Sequence, residues 1–98
     1  MFKVVYTAQA RKDYQKAKNS PLLAKVHELL AIIETNPFQN PPPFERLTGD
    51  LNGAFSRRIN RQHRLVYEIL NNETGLKDSS GKLFEGIVKT IRLWTHYE

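Results

Sequence analysis

Residues 53–70 read GAFSRRINRQHRLVYEIL, and how this stretch divides decides the fold. Two runs rich in β-branched, aromatic and arginine residues, 54–60 and 64–70, flank a short polar step at Arg61, Gln62 and His63. That pattern predicts two strands folded back on one another. A lone strand pair is marginal in water, so further strands or a packed helix layer must lie on either side of it in sequence. Downstream, NNETGLKDSSGK (71–82) is polar and turn-rich. The long β-branched run LFEGIVKTIRLWTHY (83–97) then reads as a last strand. It delivers a Trp, a His and a Tyr at positions where a chain end ordinarily carries cheap polar residues.

Upstream, residues 1–7, MFKVVYT, form a first short strand. Residues 8–19 change to helix formers, with Ala8, Ala10, Tyr14 and Ala17 at helical spacing and Arg11, Lys12, Lys16 and Lys18 between them. Ser20 and Pro21 follow, placed to cap and begin a second helix. Its apolar stripe is Leu22, Leu23, Val26, Leu29, Leu30 and Ile33. The next stretch, ETNPFQNPPPFE (34–45), carries four prolines, which remove amide donors and fix φ, so an ordered surface loop is expected. The predicted order is β-α-α-β-β-β. It describes an α+β fold, with a helical hairpin packed on one face of a twisted, mainly antiparallel sheet.

A length of 98 residues accommodates one domain spanning 1–98. No apolar run approaches the ~20 residues that span a bilayer, and the N-terminus turns polar too early for a leader, so a cytoplasmic location without membrane association is the expectation. There is no cysteine, which excludes disulfides and thiolate metal sites. Lys and Arg total 15 against 10 acidic residues, a net charge of +5 that suits a polyanionic partner.

Strand alternation distributes that charge. Leu65, Tyr67 and Ile69 share a face, as do Ile91 and Leu93, and Phe55 and Ile59 fit the same helix-covered side. Arg57 falls on that side too, where alternation alone does not explain it. The opposite face carries Ser56, Arg58, Asn60, Arg64, Arg92, Trp94 and His96. Arginines beside an aromatic on an uncovered sheet suit phosphate contact and base stacking. The plainer alternative is an exposed face that is polar because it meets water.

Cleaving RNA through its own 2′-hydroxyl needs a base for the 2′ proton, a cation for the pentacoordinate phosphate and an acid for the 5′ oxygen. No metal or cofactor is called for, and His27, His63 and His96 have no ligand spacing. His96 suits the acid, because an imidazole ordinarily titrates near neutrality. His27 lies beside the stripe of the second helix, and His63 sits in a turn. Among the carboxylates, Glu45 stands out because a proline-rich loop holds it just before the sheet. Asp50, Glu68 and Glu85 have ordinary turn or strand-surface explanations.

FERLTGDLNGAFSRRINRQHRLVYEIL (44–70), followed by a chain closing on THYE, resembles the YoeB/Txe toxins of the RelE/ParE toxin–antitoxin superfamily. The resemblance spans nearly the whole chain and rests on S-R-R-I-x-x-x-H-R-L-V-Y with the late His-Tyr. It implies a ribosome-dependent mRNA endonuclease neutralised by an acidic antitoxin of the YefM/Phd type, and it leaves homodimerisation open. By position it implies Glu45 as general base, Arg64 as the transition-state cation, His96 as general acid and Tyr97 as the residue orienting substrate. Arg58 matches a phosphate contact, and Arg46, Arg57, Arg92 and Trp94 complete the candidate RNA-binding set. Thr48 stands where the family carries lysine, with Arg46 as a nearby cation. Two rivals remain: a ParE-like toxin of the same fold that inhibits DNA gyrase, and an inactive nucleic-acid-binding module.

Overall fold

The chain runs β1 (Lys3–Tyr6), α1 (Ala8–Lys18), α2 (Leu23–Thr35), β2 (Glu45–Arg46), β3 (Ala54–Arg58), β4 (Arg64–Leu70) and β5 (Ile87–Thr95). The structure is a computed structural model, and it describes residues 1–95. The strands form a five-stranded sheet in the order β1-β5-β4-β3-β2. The β1–β5 pair, the first and last strands of the chain, is parallel, and the other pairs are antiparallel. The architecture is the expected α+β arrangement.

Residues 64–70 form a strand as read from the sequence, whereas β3 stops at Arg58, two residues early. Asn60 causes the stop: its side-chain oxygen accepts from the amides of Gln62 and His63 and closes the turn. The last strand begins at Ile87 rather than residue 83, because Leu83 pairs only with Lys77 within its own hairpin. The two-residue β2 was not anticipated at all.

Thr7 caps α1, accepting from the Ala10 amide at 3.0 Å while donating to the Ile91 carbonyl of β5 at 2.9 Å. One hydroxyl thus starts the helix and ties it to an interior strand of the sheet. Ser20 does not cap α2. Its hydroxyl accepts from the Leu22 amide, so Ser20 and Pro21 form the turn and the helix begins at Leu23. Ala10, Asp13 and Ala17 of α1 and Val26, Leu29 and Ile33 of α2 are buried at i, i+3 and i+7. The core joins Ala17, Val26, Leu29 and Ile33 to Phe55, Ile59, Leu65, Tyr67, Val88 and Leu93 of the sheet side.

Asp13 is the polar exception in that layer. Fully buried, it accepts from Arg92 Nε at 2.9 Å, the Leu93 amide at 3.0 Å and Gln9 Nε2 at 3.0 Å. Replacing it with alanine removes the acceptor of Arg92 Nε and leaves the buried Leu93 amide without its side-chain partner. The expected cost is about 3 kcal/mol, read as a lowered denaturant midpoint at unchanged slope. Burial pushes the Asp13 carboxyl up, but hydrogen bonds from Arg92, the Leu93 amide, Gln9 and the Trp94 amide outweigh it and hold the group below its ordinary value. A folded value below the unfolded one gives stability that is full above about pH 4 and is lost as pH falls through the folded value. Wild-type stability is therefore expected to fall more steeply on the acid side than that of Asp13→Asn. Parallel acid profiles for the two proteins would contradict this role.

Candidate functional site

The sheet register assembles one group of polar side chains. Glu45 of β2 lies opposite Ser56 of β3, and Arg58 of β3 lies opposite Arg64 of β4. Directly opposed residues share a face, and so do Ser56 and Arg58, two apart on one strand. Glu45, Ser56, Arg58 and Arg64 therefore converge, and with Pro43 and Phe44 they line a cleft of about 240 Å³. The sequence placed Ser56, Arg58 and Arg64 on this face. The short β2 adds Glu45 to it.

Like charges directly opposite on a sheet destabilise it. Among the described residues, neither Arg58 nor Arg64 has an ion-pair partner, and nor does Glu45. Two unneutralised guanidiniums beside a carboxylate make a receptor for a phosphate, with an acceptor close enough to take a neighbouring proton. Under them lies the Ser56 hydroxyl, buried and without a hydrogen-bond partner among the described residues. A buried donor left unmade costs stability.

Other candidate contacts go elsewhere. Arg46 lies opposite Phe55, so it is on the other face from Glu45, and its guanidinium sits 5.1 Å from the Phe55 ring centroid. Arg57 is 1% exposed and bonded to the proline-rich loop and to Tyr67. Arg92 is held in an ion pair that alternation did not show. Its guanidinium reaches Asp13 of α1, and β5 shifts register against β4 on both sides of the Val66–Arg92 pair. The Trp94 ring is partly buried against the core and stacks on His63, centroids 3.7 Å apart. His27 accepts or donates a 2.7 Å hydrogen bond with the Tyr14 hydroxyl, which accounts for its place on α2.

His96 and Tyr97 lie outside the described residues. The last described residue of β5, Thr95, pairs with Arg64, and His96 follows it by one peptide bond. A larger cavity of about 360 Å³ opens between β1 and the helices, lined by Tyr6, Arg11, Tyr14, Gln15, His27 and Leu30. It has no carboxylate and a single guanidinium, so the smaller cleft carries the more pointed chemistry.

Residues 6–97 match the model of the YoeB-like toxin of bacterial type II toxin–antitoxin systems. Toxin YoeB of Synechocystis sp. is 34% identical over 73 residues, covering 72% of this chain and 85% of the relative. Among solved structures, the YoeB/ParE toxin from Agrobacterium tumefaciens superposes with a TM-score of 0.75 at 26% identity, covering 98% of this chain and 100% of that one. The heterotetrameric YoeB–YefM toxin–antitoxin complex from Staphylococcus aureus contains a chain similar at 28% identity and a TM-score of 0.69, with 99% of each chain covered.

Proposed function

The chain belongs to the YoeB-like toxins of bacterial type II toxin–antitoxin systems, and from that membership we propose that it is a ribosome-dependent mRNA endonuclease. The observation that carries this reading is the cleft in which Glu45 meets the opposed pair Arg58 and Arg64.

In this scheme Glu45 removes the proton of the scissile nucleotide's 2′-hydroxyl. The 2′-oxygen attacks the adjacent phosphorus in line, the bond to the 5′-oxygen breaks, and a 2′,3′-cyclic phosphate forms. Protonated His96 gives its proton to the departing 5′-oxygen, so one proton is taken and one returned. Arg64 stabilises the charge that builds on the pentacoordinate phosphate, Arg58 holds the phosphate before and during reaction, and Tyr97 orients the substrate. The ribosome supplies the constraint that brings single-stranded message into line, and it places the activity in the cytoplasm. No helix among the described residues is long and apolar enough to cross a membrane.

The S. aureus relative assembles with the antitoxin YefM. For this chain the matching partner is an acidic, partly disordered antitoxin segment. It folds on binding and covers Arg58 and Arg64, complementary to a chain of net charge +5.

The two arginines divide the work. Arg64→Ala is expected to lower the single-turnover cleavage rate with little loss of ribosome affinity, whereas Arg58→Ala lowers both. Equal affinity losses with unchanged rates would contradict the division. The function itself is tested by adding the purified toxin to a cell-free translation reaction and mapping new mRNA ends. Ends at codons, dependent on ribosomes, support the nuclease. Intact message together with inhibited DNA supercoiling supports a gyrase-directed toxin instead.

A further inference from the structure

The proline-rich loop before β2 has a bonding problem that its own backbone does not solve. Prolines 37, 41, 42 and 43 offer carbonyls but no amides, so the segment has more acceptors than donors. Its carbonyls find their donors in the sheet. Arg57 Nη1 donates to Pro42 O at 2.6 Å, and Nη2 donates to Pro37 O at 3.0 Å and to Gln39 O at 2.8 Å. Arg57 Nε donates to the Tyr67 hydroxyl at 3.0 Å, and that hydroxyl donates onward to Pro37 O at 2.7 Å. The guanidinium also stacks over Phe44, 5.0 Å from its ring centroid. Phe44 in turn packs edge-on against Phe55, and Phe55 stacks on Tyr67.

Burying a guanidinium this deeply is expensive, and an apolar core residue of similar size is often equally or more stabilising. Here the cation faces carbonyls and a phenol, with no carboxylate partner among the described residues. All of its loop contacts fall on residues 37–44, the segment that ends on Glu45. The strand carrying Glu45 is only two residues long and lies at the sheet edge, too short to fix the carboxylate by ladder bonds alone. Burial pushes the Tyr67 hydroxyl up against the opposing pull of the Arg57 cation, so it stays protonated and remains a donor.

We propose that Arg57 and Tyr67 are positioning residues for cleavage: the buried pair locks the proline-rich loop and thereby sets the Glu45 carboxylate across the cleft from Arg58 and Arg64. The Ser-Arg-Arg triplet then works on both faces of β3. Ser56 and Arg58 face the cleft, while Arg57 passes to the other side and holds the loop. This rests on the nuclease reading above, because it assigns Glu45 the role of base.

The test is single-turnover cleavage of ribosome-bound mRNA by wild type, Tyr67→Phe, Arg57→Lys, Glu45→Gln and the Glu45→Gln/Tyr67→Phe double variant. Tyr67→Phe keeps the ring stacked on Phe55 and deletes only the hydroxyl relay, so it remains informative even if an Arg57 variant does not fold. A displaced reacting group costs on the order of tenfold to a hundredfold in rate. Tyr67→Phe is expected near the lower value and Arg57→Lys near the upper, both with ribosome affinity unchanged. In Tyr67→Phe, amide exchange of residues 44–46 speeds up while that of α2 does not. Because the pair acts through Glu45, Tyr67→Phe adds nothing further once Glu45 is glutamine. The proposal is overturned if Tyr67→Phe cleaves at the wild-type rate, or if it lowers the rate equally with and without the Glu45 carboxylate. A wild type that makes no cut overturns the nuclease reading and this inference with it.

Discussion

Exchange of His96 for glutamine is expected to lower the single-turnover rate of mRNA cleavage by about 10²–10⁴-fold, the usual cost of losing general acid–base catalysis. Glutamine preserves much of the side chain's size and hydrogen bonding but has no proton to give at neutral pH. The 5′-oxygen must then leave as an alkoxide or take its proton from water. Two observations motivate the choice. Thr95 pairs with Arg64, so the peptide bond after Thr95 starts from the strand that borders the cleft. His96 is also the residue that the proposed mechanism casts as the acid, and it lies within the stretch 6–97 that matches the toxin family. Melting temperature and ribosome affinity are expected to be unchanged. A variant that cleaves at an undiminished rate would remove His96 from the mechanism.

Glu45→Gln is expected to lower the same rate by a similar factor, about 10²–10⁴, with an opposite signature in binding. Glu45 is the acidic member of a cleft that holds two arginines. Removing its charge makes the cleft more positive, so affinity for the phosphate backbone holds or rises while cleavage collapses. Because the side chain is exposed, the change in stability is expected to stay within about 0.5 kcal/mol. Parallel losses of rate and affinity would instead mean that Glu45 supports the fold of the cleft and takes no proton.

Those two residues show how far the sequence carries. Strand alternation put Ser56, Arg58 and Arg64 on one face, and the register bears that out, because β3 and β4 pair without a bulge. The same count did not show where the Arg92 guanidinium goes. Register shifts in β5 leave no mark in a run of β-branched residues, and the partner that draws Arg92 inward, Asp13, is 79 positions away in sequence. Apart from the family resemblance, Glu45 was singled out for rigidity alone. Its strand is too short to show a period, so the pairing that aims it at the cleft was legible only in three dimensions.

Arg57 is the most instructive case. Alternation placed a charge among Phe55 and Ile59, where charge is costly, and nothing nearby in sequence offered compensation. The compensation lies in the carbonyls of Pro37, Gln39 and Pro42, up to 20 residues upstream. The helices were easier to read, since their buried positions recur at fixed local spacing. The start of α2 was misplaced because Ser20 spends its hydroxyl on a turn before the helix begins.

In the proposed mechanism this toxin cuts message through the message's own 2′-hydroxyl, using Glu45 and the arginines opposite it. Its most direct test is an mRNA with one 2′-deoxynucleotide at the mapped cut position, loaded on programmed ribosomes and compared with the all-ribose message. The account predicts that the all-ribose message yields an upstream fragment ending in a 2′,3′-cyclic phosphate and a downstream fragment with a 5′-hydroxyl. The single deoxy substitution abolishes cleavage at that position. Cleavage of the deoxy-substituted message at the same site and rate, or upstream fragments released with a 3′-hydroxyl, would contradict it.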